Sequence, residues 1–93
     1  MAYANVFQTH VTNLRFDCLN WTIQLRNQGL NMDFMIYEDE VNNQIDFEII
    51  LREPSGNPID RIQHDNIIVN STVGDFIKIL VNIFFQQYGA HVN

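Results

Sequence analysis

Basic residues are scarce: four Arg and a single Lys stand against eleven Asp and Glu, giving a formal charge of −6 over 93 residues. Phosphate-backbone recognition depends on dense Lys and Arg, so direct nucleic-acid binding is not expected. Cysteine occurs once, at Cys18, which rules out an internal disulfide and removes any need for an oxidising compartment. A reducing cytoplasm is the simplest expectation. A bilayer-spanning stretch of roughly 20 apolar residues is also missing. The most apolar run, FIKILVNIFF at residues 76–85, is interrupted by Lys78 and Asn82. The opening MAYANVFQTH has neither the basic nor the apolar region of a secretory signal. With two Pro and four Gly, the chain also lacks the composition of a linker or low-complexity tract. No internal repeat is visible.

Apolar residues, in contrast, make up 46% of the chain and include seven Phe, three Tyr and one Trp, enough for a real core in one domain spanning residues 1–93. Phe7, Val11, Leu14, Cys18, Trp21 and Leu25 are spaced 4, 3, 4, 3, 4, which is one stripe of a helix over residues 5–28. Asn5 with Gln8 resembles an N-terminal capping box, and Gly29 followed by Leu30 suits a Schellman close. After Gly29 the period changes to two. Leu30, Met32, Phe34 and Ile36 alternate with Asn31, Asp33, Met35 and Tyr37, and Ile45, Phe47, Ile49 and Leu51 with Asp46, Glu48, Ile50 and Arg52. Strands are therefore expected over residues 30–38 and 44–53, joined by a turn in which Asn42-Asn43 can adopt positive φ. The prolines and glycine of EPSGNP form a second turn signal. A third strand follows over residues 59–69, with a bend or bulge near His64-Asp65-Asn66. Thr72 with Asp75 reads as a capping box opening a second helix over residues 72–88, which stops at Gly89. The expected fold is α+β, a two-layer αβββα arrangement with a three-stranded antiparallel sheet packed against two helices.

More apolar surface is left over than such a fold can cover. Phe16, Leu19 and Ile23 lie about 180° from the main stripe of the first helix, and the second helix is apolar over most of its circumference. Three readings fit: the first helix lies in a cleft, a partner protein covers the surplus, or a homodimer forms through Phe16, Leu19, Ile23, Ile79, Ile83 and Phe85.

The acids are also unevenly placed, seven of the eleven falling within residues 33–53. A calcium loop needs a tight glycine turn between alternating oxygen ligands, which is absent here. Paired catalytic carboxylates need a pocket, which a hairpin tip does not offer. His10, His64 and His91 lack metal-ligand spacing, and Cys18 belongs to the apolar stripe. Gly74 ahead of a helix has neither the glycine-rich loop nor the lysine of a phosphate cradle. No metal, cofactor or catalytic residue is assigned, and no enzyme activity is expected. The acidic hairpin is either a solvated face that aids solubility and blunts a sheet edge, or a docking surface. In the second case Asp33, Tyr37, Glu38, Asp39, Glu40, Asp46 and Glu48 would meet a partner protein with a basic surface. An alternative from a different class is a small homo-oligomer, assembled through its helices, that binds a small ligand or serves as a structural subunit.

The αβββα order, the small size and the acids gathered on the sheet resemble the general plan of small phage-encoded anti-defence proteins, some anti-CRISPR proteins among them. The likeness is one of layout over the whole chain and includes no motif, so it transfers no residue role. It implies a non-enzymatic inhibitor in the host cytoplasm that occupies a nucleic-acid or ligand site of its target.

Overall fold

The computed structural model describes residues 3–93, with side-chain surroundings from Val6 onward. Five elements follow in order: α1 (Tyr3–Asn27), β1 (Asn31–Asp39), β2 (Gln44–Arg52), β3 (Pro58–Ile68) and α2 (Val73–Gln86). The α+β layout read from the periodicity is the one observed. The sheet is antiparallel with order β1-β2-β3.

Every member of the main α1 stripe, from Phe7 to Leu25, is buried. Beyond Asn27 the Leu30 N–H donates to the Leu25 carbonyl at 2.9 Å and the Gly29 N–H to Arg26 at 3.0 Å. Gly29 sits at φ 86, so this is the expected Schellman close, with glycine in the left-handed region. The other end differs from expectation. The side chain of Asn5, suggested as a cap, lies outside the described residues, and Gln8 turns its amide toward β1, donating to Glu38 Oε1 and Glu40 Oε1 at 2.8 Å each.

β2 is the central strand, and Ile45, Phe47, Ile49 and Leu51 point from it into the core. Phe34 of β1 stacks on Phe47 with centroids 5.8 Å apart, and Trp21 meets Phe34 edge-on at 6.4 Å, which ties α1 to the sheet. β3 contains two irregularities. Ile45 pairs with Ile67 but Phe47 pairs with His64, so Asp65 and Asn66 together oppose Asp46. This is the bulge anticipated near His64. Asn66 takes φ 57 and donates its N–H to Asp46 Oδ1 at 2.9 Å. The extra residue changes which β3 side chains face inward, so Ile62 before it and Ile67 after it both reach the core. A second shift, between Leu51 and Arg52, leaves Ile59 exposed.

α2 begins without the expected capping box. The Thr72 side chain makes no cap; its hydroxyl donates to Asn70 Oδ1 at 2.8 Å, and its N–H donates to the same oxygen at 3.0 Å. An Asx turn at Asn70 therefore satisfies the groups just before the helix. Asp17 of α1 supplies negative charge to this end of α2: its Oδ2 lies 2.7 Å from where a Cβ on Gly74 would stand. The positive end of the helix dipole favours that carboxylate, and only glycine leaves room for it. Val73, Ile77, Val81, Phe84 and Phe85 of α2 are buried.

Residues 90–93 run between the two helices. The backbone of His91 exchanges hydrogen bonds with the Gln28 amide, that of Val92 with the Asn82 amide, and that of Asn93 with the Gln24 amide. Each amide offers one donor and one acceptor, as a neighbouring strand would. Ala90 and Val92 are buried beneath this lattice.

Candidate functional site

Most of the expected acidic residues gather at one end of the sheet and on its uncovered face, but their states differ. At the end, Glu38 accepts 2.7 Å from Arg15 Nη2 and 2.8 Å from Gln8. The Arg15 hydrogen bond first, and that from Gln8 second, hold the Glu38 carboxyl below the usual carboxylate range. Asp39 accepts from the Asn42 N–H at 3.2 Å and its side-chain amide at 2.8 Å, closing the turn from within. Asn43 adopts φ 53, and both its carbonyl and its side-chain amide bond Val69, which pins the tip to the end of β3. Asp46 holds the bulge, and Asp65, across the bulge, accepts from Gln63 at 2.7 Å.

The uncovered face carries Asp33, Met35 and Tyr37 from β1, Glu48, Ile50 and Arg52 from β2, and Arg61 and Gln63 from β3. Asp33 pairs with Arg52 Nε at 2.5 Å, and Arg52 Nη1 also donates to the Gly56 carbonyl at 3.0 Å. Glu48 corrects an expectation. The sequence counts it among the acids of an open docking surface, yet the residue is only 2% exposed. Tyr37 donates its hydroxyl to Oε1 at 3.0 Å, and Arg61 Nη2 pairs with Oε2. Register accounts for this. Glu48 stands directly opposite Met35 and Gln63, so Tyr37 and Arg61 reach it diagonally from the two flanking strands and close over it. The face is thus a band of Met35, Tyr37 and Ile50 bracketed by two neutralised ion pairs, rather than a sheet of free carboxylates.

The expected oligomer residues divide similarly. Phe16, Leu19 and Ile23 are 65%, 61% and 54% exposed, so α1 does not bury both faces in a cleft. Ile79 and Ile83 are exposed as well. Phe85 is not: it is completely buried and packs edge-on against Phe84 at 4.9 Å, which makes it core. The excess of apolar residues on α2 hid this, because composition alone does not say which part of a nearly all-apolar helix faces inward.

Arg15 and Arg61 go unmarked in the sequence, and Gln8 and Asp65 enter it only as a helix cap and as part of a bulge, yet all four prove central here. Arg15 and Gln8 could have been found by asking which polar α1 residues flank the buried stripe toward β1. Arg61 depended on the register of β3, which the bulges obscure.

Among the described residues, no three His, Cys, Asp or Glu side chains converge to hold a metal ion. Burial pushes the Cys18 thiol up to about 12, with the Asp17 charge adding to the effect, so it is held protonated. A groove of about 440 Å³ runs beside the β3 bulge and the start of α2, lined in part by His64, Asn66, Asn70 and Phe76. No described helix is long and apolar enough to cross a membrane. Compared with known proteins, the chain matches no family model, no curated sequence and no solved structure.

Proposed function

We propose that the chain is a non-enzymatic binding protein that docks its acidic end onto a basic surface of a partner protein, as an inhibitor occupying a nucleic-acid-binding face would. The supporting observation is how charge remains after internal pairing. Three of the five bases are consumed by Asp33, Glu38 and Glu48. Asp39, Glu40, Asp46 and Asp65 have no ion pair among the described residues, and all four belong to the turn and bulge end of the sheet. That end is rigid, because the Asx turn, the Asn43–Val69 tie and the bulge bond fix the backbone that carries them. Acids fixed in place lose little conformational entropy on docking and steer a basic partner over a distance set by salt.

The test is capture of host proteins by the wild type and by a Glu40→Lys/Asp65→Lys variant at low and high salt. The reading expects a basic, nucleic-acid-binding protein that is retained at low salt, released at high salt and bound about tenfold more weakly by the variant. Both sites are exposed, so the melting temperature should barely move. Capture that is indifferent both to salt and to the two reversals would refute the reading.

A further inference from the structure

The two edges of the sheet are not alike. β3 begins at Pro58 and contains both irregularities, devices that blunt an edge against further pairing. β1 pairs with β2 through nine consecutive residues without a bulge and contains no Pro or Lys, and among the described residues nothing pairs with its outer side. Beside that outer side runs a groove of about 390 Å³ between β1 and α1, lined by Leu19, Thr22, Met32, Phe34 and Ile36 among others. Its upper wall leads onto the exposed Phe16–Leu19–Ile23 stripe. An unprotected strand edge, an apolar groove and a bare helix stripe thus all open in one direction.

We infer that a second copy of this chain covers this side, its β1 pairing antiparallel with β1 about a two-fold axis at Met35. The product is a continuous six-stranded sheet with the two α1 stripes packed against each other above it. Register follows from the sequence of β1. Only the axis at Met35 pairs all nine residues of Asn31–Asp39, and it sets Asp33 opposite Tyr37 and Asp39 opposite Asn31. Shifting the axis to Ile36 would bring Asp33 opposite Asp39, like charges face to face.

Charge supports the same arrangement. Arg26 continues the exposed α1 stripe, three residues after Ile23, and forms no ion pair among the described residues. α1 runs antiparallel to β1, with Arg15 beside Glu38. The two-fold therefore carries Arg26 toward the acidic tip of the other copy and sets the two tips at opposite ends of the joined sheet.

The contact is large enough to hold. A nine-residue edge is about 30 Å long, and strand plus overlying helix give it a depth of roughly 20 Å. That amounts to about 600 Å² per copy, at the lower limit of stable interfaces. A dissociation constant in the micromolar range is expected. This assembly leaves Asp46, Asp65 and the bulge open to the docking proposed above, while the tip of β1 with Asp39 is common to both, so sedimentation reads the dimer and salt-dependent capture reads the docking.

Sedimentation over a range of concentrations should show a monomer–dimer equilibrium. Leu19→Lys, at an exposed position that leaves the fold and melting curve intact, should weaken it about 100-fold because both copies lose the contact. Met35→Cys should yield a covalent dimer with a short thiol crosslinker, since directly opposed Cβ atoms lie about 5 Å apart. Ile50→Cys, on the central strand, should not. A wild type that stays monomeric up to about 1 mM, or a dimer that ignores Leu19→Lys, would overturn the interface. A dimer that Met35→Cys fails to crosslink would overturn the strand pairing.

Discussion

Replacing Arg61 with Met removes one partner of Glu48 while keeping much of the side chain's apolar length. The carboxylate side chain is 3% exposed, whereas Arg61 is 67% exposed. Breaking a fully buried ion pair from one side costs about 3–5 kcal/mol, and leaving a buried group without a hydrogen bond costs about 1–3 kcal/mol. Departure of an exposed guanidinium admits water to Glu48 Oε2, and Tyr37 keeps its bond to Oε1. The lower range therefore applies, and a loss of about 2 kcal/mol is expected. For a domain of this size that corresponds to a fall in melting temperature of about 10 °C. Urea titration should show a lower midpoint with an unchanged slope, since the surface exposed on unfolding stays the same. The double variant Glu48→Leu/Arg61→Met removes the stranded charge and should recover most of the loss. If Arg61→Met stays within about 0.5 kcal/mol of wild type, the pair is no more than a surface ion pair and Glu48 is solvated.

Acid should loosen the turn end through Glu38. Its folded pKa is depressed, so its contribution is present above the unfolded value, about 4.3, and is lost as pH falls through that value toward the folded one. Thermal melts between about pH 6 and pH 3 should show the wild type losing more stability than Glu38→Gln; equal losses would show that Arg15 and Gln8 do not favour the ionised form. Gly74→Ala should stabilise an Asp17→Ala background by up to about 1 kcal/mol through helix propensity and the wild type by less, because the added Cβ displaces the exposed Asp17 carboxylate. Additive effects in that cycle would dissociate Asp17 from the start of α2.

Fold class was legible because the signals were local and mutually consistent. The 4, 3, 4 spacing of α1, the switch to period two after Gly29 and the turn residues at Asn43 and Gly56 each name an element by themselves. The bulge at Asp65-Asn66 was also visible, as the break in alternation between Ile62 and Ile67. Long-range pairing was not legible. Nothing near Glu48 in the chain reveals that Tyr37 and Arg61 meet over it, because that depends on two registers at once. Nor does anything near Thr72 announce that Asn70 closes the turn, or that Asp17, from another helix, adds its charge to that of Asp75 in the first turn. Nor does any local pattern announce that the amides of Gln28, Asn82 and Gln24 take up the backbone of residues 91–93.

That amide lattice gives the molecule two ends with unlike chemistry. The bonds of Gln28 and Asn82 to the backbone of His91 and Val92 involve no titrating group, so neither acid nor salt acts on them directly, whereas the opposite end depends on Arg15–Glu38 and on carboxylate acceptors. Disassembly under acid should therefore be directional. Amide hydrogens around the β1–β2 turn should begin to exchange while those of His91 and Val92 are still protected, so a change of pH would loosen the turn end while leaving the helices clasped at the other.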